Sequence, residues 1–223
     1  MAGAHATFSN ERMSGRLFAM DGRSEATRPD TEGDVAAESS PPAVEAREES
    51  PFELLKADYR NHGRTLANRS LWAMAVYRYG RWSMQRRTPA ARWFTSKIYG
   101  ALSPLSRFLT GVTLDRLTEM GRDVHLIHCE GPISIHPRAK IGKRVGIMHN
   151  VTIGETPDGG VPTIGDDVFI GVGAVIIGNV HVGAGAQVAA NSLVISDVPP
   201  NHVAVGVPAR VYPGLGRRAT KTV

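Results

Sequence analysis

Residues 164–194 read IGDDVF, IGVGAV, IIGNVH, VGAGAQ, VAANSL, V when broken at every sixth position. An aliphatic residue heads each block: Ile164, Ile170, Ile176, Val182, Val188 and Val194. Further back the same step of six joins Ile135, Ile141, Ile147 and Ile153, and one step of eleven separates Ile153 from Ile164. Glycine follows the aliphatic residue at Gly142, Gly154, Gly165, Gly171 and Gly183. Small or β-branched residues precede the next aliphatic by two, as at Ala139, Val145, Val151, Val168, Ala174 and Ala186. A plain strand repeats every two residues, whereas a fixed longer period marks a solenoid. A step of six implies a short strand plus a turn, three to a triangular coil. Each aliphatic side chain then points inward and stacks on its equivalent one coil later. On this reading the glycine after the aliphatic supplies a corner conformation that a Cβ would hinder. The long step throws a five-residue insertion, within Glu155–Thr163, out of one coil. Such insertions map to one face of a solenoid, often the binding face.

Upstream the period changes. Ser50-Pro51-Phe52-Glu53 is a helix start, with a capping serine, proline at the first position and a glutamate to complete a capping box. The pattern predicts one helix from Pro51 to Leu66 and a second after Asn68 and Arg69 that carries Leu71, Ala75, Val76, Tyr79 and Trp82. A third, basic amphipathic stretch runs from Ala90 to Leu109, with Trp93, Phe94, Ile98 and Leu102 on its apolar stripe. That stripe reads as packing surface for neighbouring helices rather than as a membrane anchor, and Pro104 should start, break or kink a helix. The expected organisation is a disordered tail (1–50), a helical region (51–111), a β-solenoid (112–211) and a short flexible basic tail (212–223).

Composition narrows the class. The chain has 223 residues, 42% of them hydrophobic, enough to bury a sizeable core. No apolar run is long enough to span a bilayer as a helix, and the N-terminus lacks a secretory pattern, so a cytoplasmic location is expected. The lone cysteine, Cys129, rules out an intramolecular disulfide and a CxxC zinc site. Residues 1–50 hold ten acidic and five basic side chains, 51–128 hold five and thirteen, and 129–223 hold six and eight. The basic middle is not interleaved with aromatic residues as a single-strand nucleic-acid groove requires, so no nucleic-acid partner is expected.

Several short motifs carry a resemblance over Leu71–Val211: Ala75-Val76-Tyr77-Arg78-Tyr79-Gly80-Arg81-Trp82, Ile127-His128-Cys129-Glu130-Gly131, Val151-Thr152-Ile153-Gly154 and Pro162-Thr163-Ile164-Gly165. Asp197-Val198-Pro199-Pro200 and Val205-Gly206-Val207-Pro208-Ala209-Arg210 follow near the end of the repeats. With these the chain resembles the hexapeptide-repeat acyltransferases, whose fold is a left-handed parallel β-helix. Within them it is most similar to the serine O-acetyltransferase branch, including its polysaccharide-biosynthesis relatives. The resemblance implies a mainly β protein with a small helical region in front. It further implies acetyl-CoA as co-substrate, a homotrimer with active sites between subunits, and transfer of acetyl to the hydroxyl of a small-molecule or saccharide acceptor.

A hydroxyl is a weak nucleophile at neutral pH and needs a base titrating near 7. The resemblance places that base on His128, in His-x-x-Gly. The serine enzymes carry a carboxylate about one coil before this histidine and an Asp directly before it, where this chain has Thr113 and Ile127. Asp115, which would share the face of Thr113 in a strand, and Glu130 are the candidate orienting partners. His149 is a candidate acceptor-site residue, and Glu130 is a second. The serine enzymes also carry an Arg-His pair before Pro162-Thr163-Ile164, and here those positions are Gly160 and Val161. Together with Ile127 this leans toward a sugar hydroxyl over free serine. For coenzyme A the resemblance points to Gly154, Thr156, Gly173, Ala174 and Ala190 along the pantetheine arm. Arg210, with Lys140, Lys143 or Arg144, would meet the nucleotide phosphates. No metal is implied. Competing readings are a zinc lyase on the same solenoid, for which no histidine pair follows His149 at short spacing, and a non-catalytic scaffold, against which His128 argues. An acetyl-cysteine on Cys129 is a minor alternative.

Overall fold

The computed structural model describes residues 50–65, 67–127 and 131–214. Three helices come first: α1 (Pro51–Asn61), α2 (Arg69–Met84) and α3 (Pro89–Thr110). The Ser50 hydroxyl accepts the Glu53 N–H at 3.3 Å, so the capping start is present. α1 stops at Asn61, short of the predicted Leu66, because Gly63 and Arg64 adopt positive φ (80° and 53°); Leu66 itself lies outside the described residues. The Asn68 side chain caps α2 through Ser70 N–H at 2.9 Å. α3 opens on Thr88 and ends at Gly111, whose φ of 73° provides the left-handed cap. It runs through Pro104 without a break. The carbonyl that proline leaves unbonded belongs to Gly100, which is exposed to water.

The stripe on α3 does not pack on its neighbours, contrary to the expectation. The face turned to α2 carries Ser96, Tyr99, Ser103, Ser106 and Thr110, all buried or half-buried. Tyr99 lies against Gly80, where a Cβ would stand 2.5 Å from its ring. Small residues here let the two helices approach closely, and the large apolar side chains are left on the outside. Trp93 and Phe94 are 65% and 61% exposed.

Fifteen short strands follow among the described residues. Four complete coils are formed by β1 (Val112–Leu114), β2 (Glu119–Met120) and β3 (His125–Ile127); β4 (Ile133–Ile135), β5 (Lys140–Ile141) and β6 (Gly146–Met148); β7 (Thr152–Gly154), β8 (Thr163–Ile164) and β9 (Phe169–Ile170); and β10 (Val175–Ile177), β11 (His181–Val182) and β12 (Gln187–Val188). A partial fifth coil holds β13 (Leu193–Val194) and β14 (His202–Gly206), and β15 (Ala209–Pro213) folds back on β14 in the one antiparallel pairing among the described residues. Three sheets result: A (β1-β4-β7-β10-β13), B (β2-β5-β8-β11) and C (β3-β6-β9-β12-β14-β15). Each is lined inside by one aliphatic ladder. These are Leu114-Ile135-Ile153-Ile176-Val194 in A, Met120-Ile141-Ile164-Val182-Val198 in B, and Leu126-Ile147-Ile170-Val188-Ala204 in C. The solenoid expectation and the inward aliphatic residues are thus borne out, and these ladders form the core.

The glycine expectation is not. Gly142, Gly165, Gly171 and Gly183 are absent from the positive-φ positions, which fall instead on Asp123, Arg144, Asp167 and Gly185 at one corner and Asn150, Gly173 and Asn191 at another. The glycines after the aliphatic residues are needed for room. A Cβ on Gly171 would lie 2.7 Å from Ala190 N, and one on Gly165 would lie 2.8 Å from Ala184 N. The backbone of the next coil occupies the space a side chain would take.

The first coil has exposed strand edges, a liability in any solenoid. The helical region covers them with polar side chains. Leu126 N–H donates to His62 Nε2 at 3.2 Å, and Ser70 Oγ donates to Leu126 O at 2.9 Å. Tyr77 Oη donates to Thr118 O at 2.9 Å, and Arg78 Nη2 donates to Gly121 O at 3.4 Å. Arg78 is held in turn by the fully buried Asp58 carboxylate at 3.0 Å. His62 closes the set by placing Nδ1 2.7 Å from Asp58 O.

Candidate functional site

Sheet A is bordered by two rows of corners, and these rows receive most of the candidate residues. At the corner between sheets C and A, His149 follows β6, Gly173 and Ala174 lie between β9 and β10, and Ala190 follows β12. His149 O accepts the Gly173 N–H at 3.1 Å, so these residues stack coil on coil. The His149 ring is half-buried, and its Nδ1 is buried with no hydrogen-bond partner among the described residues. An unpaired buried ring nitrogen is costly unless something is bound to it. Gly173 holds φ at 70° against Asn191, Ala174 is fully buried, and Ala190 is exposed. Gly173 and Ala190 thus put no bulky side chain on the surface of this corner.

The same corner of the first coil lies between Ile127 and Gly131. His128, Glu130 and Cys129, the predicted base, its possible partner and the lone thiol, lie outside the described residues. Their described neighbours are the end of β3, where Ile127 pairs with Met148, and Gly131, which packs on the Asn150 side chain. Met148 immediately precedes His149.

Asp115, Gly154 and Thr156 are on the other border of sheet A, the corner toward sheet B. The Asp115 carboxylate accepts the Leu117 N–H at 2.8 Å and lines a cavity of about 170 Å³ between α2, α3 and β1, together with Thr113, Val76 and Ser106. It therefore belongs to a different corner from the end of β3, because β1 turns into sheet B while β3 turns into sheet A. Gly154 ends β7 and opens the inserted loop, and Thr156 is bonded within it, its N–H donating to Gly160 O at 3.1 Å. The Thr156 hydroxyl and the loop's backbone hold the Asp158 carboxyl below the usual range.

The candidate phosphate cations are not gathered beside sheet A. Lys140 is on sheet B, Lys143 and Arg144 form the corner between B and C, and Arg210 is on β15 at the far end of sheet C. Arg144 is engaged by Asp167 through two contacts, at 2.8 and 2.6 Å.

A polar cluster at the A–B corner was not singled out from the sequence. His136 Nε2 is 3.0 Å from Glu155 Oε2, and His136 Nδ1 accepts the Arg138 N–H at 3.2 Å. The Arg138 guanidinium pairs with the other Glu155 oxygen and donates to Gly159 O at 3.2 Å. Together they tie the inserted loop to the coil beneath it. Aligning the chain coil by coil would have put His136 and Arg138 next to Glu155. Among the described residues no three His, Cys, Asp or Glu side chains converge as a metal site. No helix there is long and apolar enough to cross a membrane.

Comparison with known proteins agrees with this architecture. The bacterial transferase hexapeptide (six repeats) family matches residues 162–196. The serine acetyltransferase of Bacillus pumilus is 37% identical over 123 residues, which are 54% of this chain and 56% of that one. Soybean serine acetyltransferase, solved in complex with serine, superposes with a TM-score of 0.60 at 32% identity, covering 73% of this chain and 70% of that one. The chain belongs to the hexapeptide-repeat, left-handed β-helix acetyltransferase family. A serine acetyltransferase solved with CoA matches with a TM-score of 0.61 at 25% identity, covering 73% of this chain and 70% of that one. The chain spans about half the length of the curated relatives it matches. These relatives are serine acetyltransferases, and they give the saccharide expectation no support.

Proposed function

We propose that this protein is an acetyl-CoA-dependent O-acetyltransferase of the serine acetyltransferase kind. The observation that carries the reading is its likeness, over 73% of the chain, to serine acetyltransferases solved with serine and with CoA. In the proposed reaction His128 removes the proton of the acceptor hydroxyl as the oxygen attacks the thioester carbonyl. The tetrahedral oxyanion then collapses, the C–S bond breaks, and the thiolate leaves as coenzyme A after taking up a proton. The products are the acetyl ester and the free thiol. A positioned base of this type contributes about 10²–10⁴ in rate. The small residues Gly173 and Ala190 suit the pantetheine arm, whereas Ala174 is fully buried and offers it no surface, and the unpaired Nδ1 of His149 suits an acceptor hydroxyl. Glu130 remains the candidate to orient His128. Asp115 is a weaker candidate, since its carboxylate is used locally at another corner. The working form is proposed to be a cytoplasmic homotrimer.

L-serine is the first acceptor to test. A sugar hydroxyl is the second, favoured by one feature of the inserted loop. A Cβ at Gly160 would lie 2.5 Å from Asn179 N, so that position holds no side chain. The cation nearest the loop, Arg138, is neutralised by Glu155. The loop therefore offers little net positive charge to an amino-acid carboxylate. Thiol release from acetyl-CoA, measured with L-serine and with a panel of neutral sugars, separates the two. Turnover with L-serine supports the first reading, turnover with sugars alone supports the second, and no turnover with any hydroxyl acceptor removes both.

A further inference from the structure

α3 is an amphipathic helix turned inside out. Its small and polar residues face α2, and its large apolar residues face outward. Trp93, Phe94, Leu102, Leu105, Phe108 and Leu109 are exposed by 36% to 86%. At about 100° per residue they cover roughly half of the circumference, along a helix about 33 Å long. A surface of this kind on a soluble chain marks an interaction site.

Charge identifies the partner. From Arg69 to Leu114 there are eight Lys and Arg residues and no Asp or Glu. Arg87, Arg92, Lys97 and Arg107 are exposed on α3 or at its start, with Lys97 Nζ 5.8 Å above the Trp93 ring. A second copy of the same face would bring like charges together. Residues 1–50 are acidic, but their apolar residues follow no helical period that would fill a half-cylinder. A cationic helix with tryptophan, phenylalanine and leucine on one broad face fits the boundary between acyl chains and anionic headgroups.

We propose that the exposed face of α3 docks on an anionic lipid bilayer, with the helix lying in the plane of the surface. The inference is independent of the enzymatic reading. Its test is flotation of the full chain with vesicles of phosphatidylcholine, alone or with about one-third phosphatidylserine. Binding should require the anionic lipid and fall in 0.5 M salt. Arg92→Gln and Lys97→Gln should each weaken it about fivefold. Leu105→Ser with Phe108→Ser should abolish it, while the circular dichroism and melting temperature of the protein are unchanged. Failure to bind anionic vesicles at low salt overturns the proposal. So does binding that appears only after residues 1–49 are removed, which assigns the face to that segment. Loss of self-association without loss of lipid binding in the serine variants assigns the face to a second copy and overturns it as well.

Discussion

His62 offers the sharpest test of how the helical region holds the solenoid. The ring is buried and accepts the Leu126 N–H through Nε2, so its Nδ1 carries the proton and donates to Asp58 O. Desolvation by burial pushes the imidazole below its usual pKa of 6.5, outweighing the pull of the Asp58 carbonyl and carboxylate. The folded state thus binds this proton less readily than the unfolded chain. Stability contributed by neutral His62 is fully present above about pH 6.5, and it is lost progressively as pH falls from there toward the depressed folded value. The slope from one such group is at most about 1.4 kcal/mol per pH unit. His62→Ala leaves the buried Leu126 N–H without an acceptor, a cost of about 1–3 kcal/mol, and adds the cavity of the lost ring. We expect the variant to be about 3 kcal/mol less stable at pH 7.5. Its deficit should narrow between pH 6.5 and 5, because only the parent loses the His62 contribution there. Urea unfolding across that pH range measures both curves. A constant deficit at every pH would refute the assignment of His62 as a neutral acceptor.

Ile153 stands mid-ladder in sheet A, fully buried between Ile135 and Ile176; Ile153→Ala should cost about 2–5 kcal/mol and Ile153→Val about 0.5–1.5 in the same denaturation experiment. Gly171→Ala should destabilise strongly, because the Cβ collides with backbone of the next coil, whereas Gly100→Ala has open space on α3 and should stabilise by about 0.5–1 kcal/mol. Thermal melts of the two alanine variants must move in opposite directions if room, not corner geometry, is what the solenoid glycine supplies. Glu155→Gln breaks an exposed pair and should change stability by less than about 1 kcal/mol. If the inserted loop shapes the acceptor site, the same change should raise KM for the acceptor with the melting temperature unmoved.

Much of the solenoid was readable because its ladders repeat at eighteen residues through the middle coils, as from Ile164 to Val182. The first coil was hidden from the hexad count. Leu114 stacks under Ile135 and Leu126 under Ile147, each 21 residues apart, because the connection through His128 is longer than its equivalents. The α3 stripe was legible as a stripe, but its direction was not. Periodicity reports that a helix has two faces, and the fit of Tyr99 onto Gly80 decides which one is inside. Asp115 shows a related limit. Alternation along a strand places it on the face of Thr113, but only the order of sheets reveals that this corner is not the one beyond β3. The buried, unpaired nitrogen of His149 likewise depends on stacking between coils, which sequence spacing alone does not express.

The central claim is acetyl transfer with His128 as the base. The measurement that tests it most directly is thiol release from acetyl-CoA with L-serine or the accepted sugar, comparing the parent with His128→Ala at equal concentration and matched melting temperature. The account predicts acceptor-dependent turnover in the parent and a loss of about 10²–10⁴ in kcat in the variant. Turnover in His128→Ala within a few-fold of the parent would contradict it.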